Sequence, residues 1–153
     1  MYLLNTISNL FSTNKIIMQQ KKSTVIFLWV LKILAAFILL QTLFFKFTAA
    51  EESVYIFTKL GLEPYGRIGI GVLELIASIL ILVPRTTVFG AVLAIGLMCG
   101  ALFSHAIKLG IVVYDDGGQL FIYALLVLIS SVILLYFNRH QLINILTKKK
   151  LAN

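Results

Sequence analysis

An all-α protein, a four-helix transmembrane bundle with both termini cytoplasmic, is the fold class this sequence predicts, and three observations predict it. Apolar residues make up 60% of the 153 residues and charged residues 12%, with a mean hydropathy of +1.01. Soluble domains sit nearer about 45–50% apolar and 25% charged, so lipid is the solvent for much of this chain. Four stretches are long and apolar enough to cross the hydrocarbon, which takes about 20 residues each. The basic residues, finally, are shared unequally between the two sides that those stretches define.

The first span is expected at about Val25 to Phe45, the second at about Gly66 to Val83, the third at about Val88 to Ile107 and the fourth at about Leu120 to Phe137. Leu, Ile, Ala and Phe carry all four, and the only prolines, Pro64 and Pro84, fall in connections, where a missing N–H costs no helical hydrogen bond. The second and fourth are short and should stand nearly upright or thin the bilayer. Gly117-Gly118 reads as the turn before the fourth span. One membrane domain, 24–138, therefore lies between an N-terminal cytoplasmic segment, 1–23, and a basic cytoplasmic tail, 139–153.

Orientation follows from charge. Lys15, Lys21, Lys22, Arg85, Arg139, Lys148, Lys149 and Lys150 fall on the side of the termini, against Lys46, Lys59, Arg67 and Lys108 on the other. The positive-inside bias puts the termini in the cytoplasm and the loops at about 46–66 and 108–119 outside. The loop acids, Glu51, Glu52, Glu63, Asp115 and Asp116, all lie on that outer side. The net charge of +7 is not gathered in one block, so nucleic acid is not an expected partner; the lipid bilayer is. The tail "NRHQLINILTKKK" reads as a contact with anionic headgroups. Residues 1–17 put Leu3, Ile7, Leu10 and Asn14 on one stripe, which suits a short interfacial helix; an upstream-start artefact reads at least as well, since Met18 stands just before "QQKKST" and the first span.

A single cysteine, Cys99, excludes an internal disulfide and any multi-cysteine metal centre, and His105 and His140 belong to opposite sides, so no two-histidine metal site is expected. Cys99 reads as an inert buried thiol. Phosphate-binding glycine loops and nucleophile elbows are absent from the sequence.

An intramembrane carboxylate is costly, at least ~2.5–3.5 kcal/mol on insertion scales if unpaired, and marks a place where partners gather. Glu74 lies about eight residues below the outer end of the second span, roughly 12 Å at the helical rise. Lys46 ends the first span with Gln41 just over a turn below it, His105 ends the third, and Gln119 and Tyr123 open the fourth. These six candidate ligand-binding residues come from all four spans and share the outward half of the bilayer, so Glu74 is expected inside a polar cluster open to the outer face. Arg67, Gly71, Glu74 and Ser78 fall on one stripe of the second helix, and the small residues there let another helix come close. Gly90, Ala94, Leu97, Ala101 and His105 form a similar stripe on the third, and Gln119, Tyr123 and Ser130 share a face of the fourth. Each has a plainer reading. Glu74 could serve only a structural ion pair, Lys46 only an interfacial anchor. His105 is expected as an exposed boundary histidine and Lys32 as a lysine snorkelling to the cytoplasmic headgroups. Gly96-x-x-x-Gly100 is expected in ordinary packing within the bundle.

On these segments the sequence resembles the DoxX family of small four-span membrane proteins, over roughly Val25 to Phe137. "LKILAAFILLQTLFFKF" is similar to the family's opening helix, with Lys32 early and Lys46 at the outer end. "GIGVLELIASILILV" is similar to its glycine-rich helix with a central glutamate, here Glu74. "GAVLAIGLMCGALFSHAI" resembles the span ending in a histidine, here His105, and "DGGQLFIYALLVL" the opening of the fourth. Gln119 stands where an acid is common, and Gln41 and Thr42 where a glycine is. The resemblance implies a multi-pass protein of a bacterial cytoplasmic (inner) membrane, associated with membrane redox chemistry.

Three functions are weighed. The first is an accessory or subunit of a membrane redox system, quinone- or thiol-linked, with an oxidoreductase partner in or at the membrane. Here Lys46 supplies positive charge, Glu74 takes or gives a proton and His105 hydrogen-bonds the ligand. No intrinsic cofactor is expected, so a bound quinone or the partner must carry the electrons. The second is a structural or assembly protein with no activity of its own. The third, least favoured, is a small-solute or proton carrier.

Overall fold

The computed structural model describes the backbone of residues 2–151 and the side chains of residues 21–139. Helix α1 spans Tyr2–Phe47, α2 Glu51–Leu60, α3 Tyr65–Leu82, α4 Thr87–Ser104, and α5 Gln119–Leu151; a π turn, His105–Leu109, continues α4. Among the described residues there is no strand. Four segments are long and apolar enough to cross a membrane: Lys21–Phe47, Tyr65–Leu82, Thr87–Leu109 and Gln119–Arg139. The protein is an all-helical integral membrane protein, each span within a few residues of its expected place. The stripe expected in residues 1–17 and the headgroup contact expected beyond Arg139 rest on side chains outside the described residues.

The chain divides into two compact units, residues 1–30 and 31–153. In the first, the side chains of Val25, Ile26, Phe27, Trp29 and Val30 are exposed, as apolar groups facing acyl chains would be. The second holds the bundle. Its core is made of narrow stripes at helical spacing: Ala35, Ala36, Leu39 and Leu43 on α1, Ala77 and Ile81 on α3, Ala91, Ala94 and Met98 on α4, and Ala124, Val127 and Leu134 on α5. Elsewhere the helices expose Leu, Ile, Val and Phe, because lipid does not penalise them. Helix α4 packs against both α3 and α5. Its Gly90 is pressed so close to α3 that an added Cβ would stand 2.5 Å from the Ile81 nitrogen and 2.9 Å from the Ala77 oxygen; backbones approach this closely only where a residue lacks a side chain.

The connection between α3 and α4 closes on itself. Thr86 Oγ1 donates to the Leu80 carbonyl at 3.0 Å, and Thr87 Oγ1 lies 3.2 and 3.1 Å from the Ile81 and Val83 carbonyls. Carbonyls at the end of α3, which have no helical partner, are satisfied this way. The Lys32 amine donates to Thr87 Oγ1 at 2.8 Å, and the residue is 6% exposed. This corrects the snorkelling expectation: the amine stays inside, because the α3–α4 turn offers it a hydroxyl.

Helix α2 was not anticipated. Its first turn carries Glu51 and Glu52 and its last Lys59, charges that suit the helix dipole. Gly61, at φ 77°, ends it, with Leu62 N donating to Phe57 O at 2.8 Å and Gly61 N to Thr58 O at 2.9 Å, the left-handed glycine stop of a Schellman turn. Two further corrections concern α4. Cys99 is exposed on the helix surface, not buried, and a Cβ on Gly96 or Gly100 would meet nothing within 4 Å, so these glycines do not serve packing within the bundle.

Candidate functional site

Glu74 has the partners its position demands. Lys46 Nζ lies 2.8 Å from Glu74 Oε2, with the two side chains 14% and 6% exposed. Thr42 Oγ1, one turn below Lys46 on the same face of α1, stands 3.0 Å from the same oxygen. The approach is local in origin. Gly71, one turn before Glu74, has no side chain, and a Cβ there would come 3.3 Å from the Phe47 ring and 3.6 Å from Lys46 Cβ. Arg67, two turns before Glu74, completes the clamp. It grips the Glu63 carboxylate with nitrogens at 2.8 to 2.9 Å and donates to the Lys46 carbonyl, an acceptor that the end of α1 leaves open. The expected stripe of Arg67, Gly71, Glu74 and Ser78 is buried throughout.

At the far end of α4 the helix loosens into the π turn, a feature often found at functional sites. The Gly110 N–H reaches back to the His105 carbonyl at 2.9 Å, and His105 Nδ1 lies 2.6 Å from the Gly110 carbonyl. A carbonyl only accepts, so Nδ1 carries the hydrogen of this bond. His105 is 7% exposed, with the Phe121 ring edge-on at 5.6 Å. This corrects the expectation of an exposed boundary histidine: the turn and the loop after it fold over the ring.

That loop is pinned by Asp116. Its carboxylate accepts from Val113 N at 2.9 Å, Gly118 N at 2.8 Å and Leu120 N at 3.0 Å. Burial pushes this carboxyl up, but the three N–H donors and nearby His105 outweigh it and hold it below the usual aspartate value. Gly117 and Gly118, at φ 61° and 87°, supply the left-handed backbone that brings those N–H groups round. Gln119 Nε2 donates to Tyr123 Oη across the first turn of α5.

These groups surround one cavity of about 560 Å³, and all six sequence-derived candidates line it: Gln41, Lys46, Glu74, His105, Gln119 and Tyr123. The volume falls within the range of small-molecule sites, ≈ 300–1,000 Å³. Most of the remaining wall is apolar, and it reaches down α4 to Gly96, thirteen residues before Leu109, or roughly 20 Å at the helical rise.

Two lining carboxylates were missed, Glu52 and Asp116. From the sequence both count only as outer-loop charge. The signal for Glu52 was a stripe of Ser53, Ile56, Phe57 and Leu60, all of which line the cavity; that spacing makes α2 an amphipathic helix over its mouth. Tyr114 holds α2 from the opposite loop, its hydroxyl donating to Glu51 Oε2 at 3.0 Å and its ring 5.6 Å from that of Tyr55. Burial, and then Asp116, push the Glu52 carboxyl above the usual glutamate value. Among the described residues no group of three His, Cys, Asp or Glu side chains is placed to hold a metal ion.

A family model, that of the DoxX-like family, matches residues 30–134. No curated protein matches the chain, and no solved structure does.

Proposed function

The chain belongs to the DoxX-like family, and on that premise we propose that it is an accessory or subunit of a membrane redox system, binding a quinone or similar amphipathic redox carrier in its cavity. The cavity carries the reading. A space of about 560 Å³ with apolar walls and a few convergent polar groups suits a small polar head on an apolar body. The cavity reaches well into the span, so such a carrier could be met from the bilayer. In the proposed orientation, set by the basic residues of the terminal side, the cavity opens outward from a bacterial cytoplasmic membrane, and electrons come from a partner oxidoreductase or leave through the quinone.

Glu74→Gln tests it. Membranes holding the wild-type protein together with its partner system should show quinone- or thiol-dependent electron transfer, and the variant should lose most of it while still inserting at the wild-type level. The amide keeps an acceptor for Thr42 but leaves Lys46 without its counter-charge, at a cost of about 1.5–3 kcal/mol. Unchanged electron transfer in folded variant membranes would reject the role.

One observation favours a second reading. The Lys46–Glu74–Thr42 set is mutually satisfied, as it would be in a protein whose charges only fix the bundle for assembly with a partner. A stoichiometric partner lost on Gly71→Leu, with no quinone bound, would favour assembly.

A further inference from the structure

We propose that Glu52, on the helix over the cavity mouth, is the side chain that meets the ligand head, donating a hydrogen bond to an uncharged, carbonyl-bearing group, and that the cavity rejects anions. This rests on the quinone-class reading above and assigns within it the group that does the recognising.

The argument is one of elimination among the charges in the wall. Three carboxylates line the cavity, Glu52, Glu74 and Asp116, against one lysine, Lys46. Glu74 is engaged by Lys46 and Thr42. Asp116 is engaged by three backbone N–H groups. Glu52 is half-buried, and among the described residues no hydrogen bond or ion pair holds its carboxyl. The same accounting removes the cations. Lys46 is held by Glu74, Arg67 by Glu63 and the Lys46 carbonyl, and Lys59 lies over the Tyr55 ring. His105 commits Nδ1 to Gly110. An anion entering here would leave water for a wall whose lysine is already paired with Glu74 and whose Glu52 and Asp116 carboxyls offer it no counter-charge, which is unfavourable.

A neutral carbonyl oxygen needs a donor, and a protonated carboxyl supplies one. Burial, followed by the charge of Asp116, favours the protonated form of Glu52. The ionisable groups lining the cavity with it are Lys46 from α1, Glu74 from α3, His105 from the π turn, and Asp116 and Tyr123 from the last loop and α5, with Tyr114 close to Glu52. As pH rises through the raised Glu52 value, the donor becomes an anion, so binding of a neutral acceptor weakens toward high pH.

The test uses the full-length protein in lipid nanodiscs, decylubiquinone as the probe and thiosulfate as the anionic comparator, with binding measured from pH 5 to 9. Wild type should bind decylubiquinone more tightly at the acid end and show no thiosulfate binding. Glu52→Ala should weaken quinone binding by roughly threefold to tenfold at pH 5. Glu52→Gln, which keeps a neutral donor at every pH, should restore binding and flatten the pH profile, a result that a merely structural role would not give. Wild-type quinone affinity and pH profile in both folded variants would overturn the Glu52 assignment and leave the quinone reading standing. Thiosulfate binding that Lys46→Met abolishes would overturn the rejection of anions. Absence of quinone binding by the wild type would overturn both readings together.

Discussion

Two lysines on α1 mark two ends of the bundle that are built in opposite ways. Near Lys32 the helices are pressed together: the amine sits on Thr87, the α3–α4 turn satisfies its own carbonyls, and Gly90 lies against the α3 backbone. Near Lys46 the helices surround a cavity of about 560 Å³, and the Lys46–Glu74 ion pair, beside the close approach of Gly71 to α1, joins α1 to α3. A close-packed end gains its cohesion from dispersion and from backbones in near contact. An open end forgoes those contacts and must hold its shape by specific polar bonds. The difference says where a ligand can go and where a mutation will hurt the fold.

The largest expected effect comes from breaking the packed end. In Gly90→Ala the new methyl would stand 2.5 Å from the Ile81 nitrogen and 2.8 Å from the Leu80 carbonyl carbon. Both are backbone atoms, so one helix has to move. The cost should be about 3 kcal/mol, read as a large fall in the detergent-solubilised melting temperature or in the yield of monodisperse protein. A variant as stable as wild type would mean that α3 and α4 are not in this contact.

How much of this contrast the sequence revealed depends on the kind of signal. The four spans were legible because length and hydropathy decide them, and the Arg67–Ser78 stripe because a polar face on an apolar helix must turn inward. Helix α2 was not, since ten residues of mixed polarity between two long apolar runs read as a loop. With it went Glu52, which only acquires a direction once α2 is a helix. Depth alone misplaced His105, because counting from the end of an apolar run cannot foresee a π turn folding back over the ring. Cys99 and Gly96 were misread for a third reason. They lie on a helix that is apolar nearly all round, and there periodicity has no polar face from which to tell inside from outside. The six candidate positions were found together because burying polar groups in lipid requires that they find one another.

A smaller effect sharpens the open end. Asp116→Ala removes the acceptor for three backbone N–H groups of the loop and the first turn of α5, a cap-like loss of about 1 kcal/mol that should lower the melting temperature near pH 7. Since folding holds this carboxyl below its usual value, its contribution is present above the unfolded value of 3.8 and is lost as pH falls through the folded one. Wild type and variant should therefore converge in stability once pH has fallen through the folded value, which lies below the unfolded one. A gap that persists there would mean the carboxylate is not what pins the loop.

The smallest effect on stability belongs to Gly96, and it separates the two ends most cleanly. This glycine sits on the same helix as Gly90, yet a Cβ here meets nothing within 4 Å, because it borders the cavity. Gly96→Ala should shift stability by no more than about 0.5 kcal/mol, with any gain coming from the better helix propensity of alanine. Gly96→Leu should fold as well as wild type but occupy the deep part of the cavity, so that decylubiquinone binding falls while the melting temperature holds. A loss of stability comparable to that of Gly90→Ala would mean that the space beside Gly96 is filled in the membrane, by another helix or a second copy of the chain, and that the two ends of the bundle are packed alike.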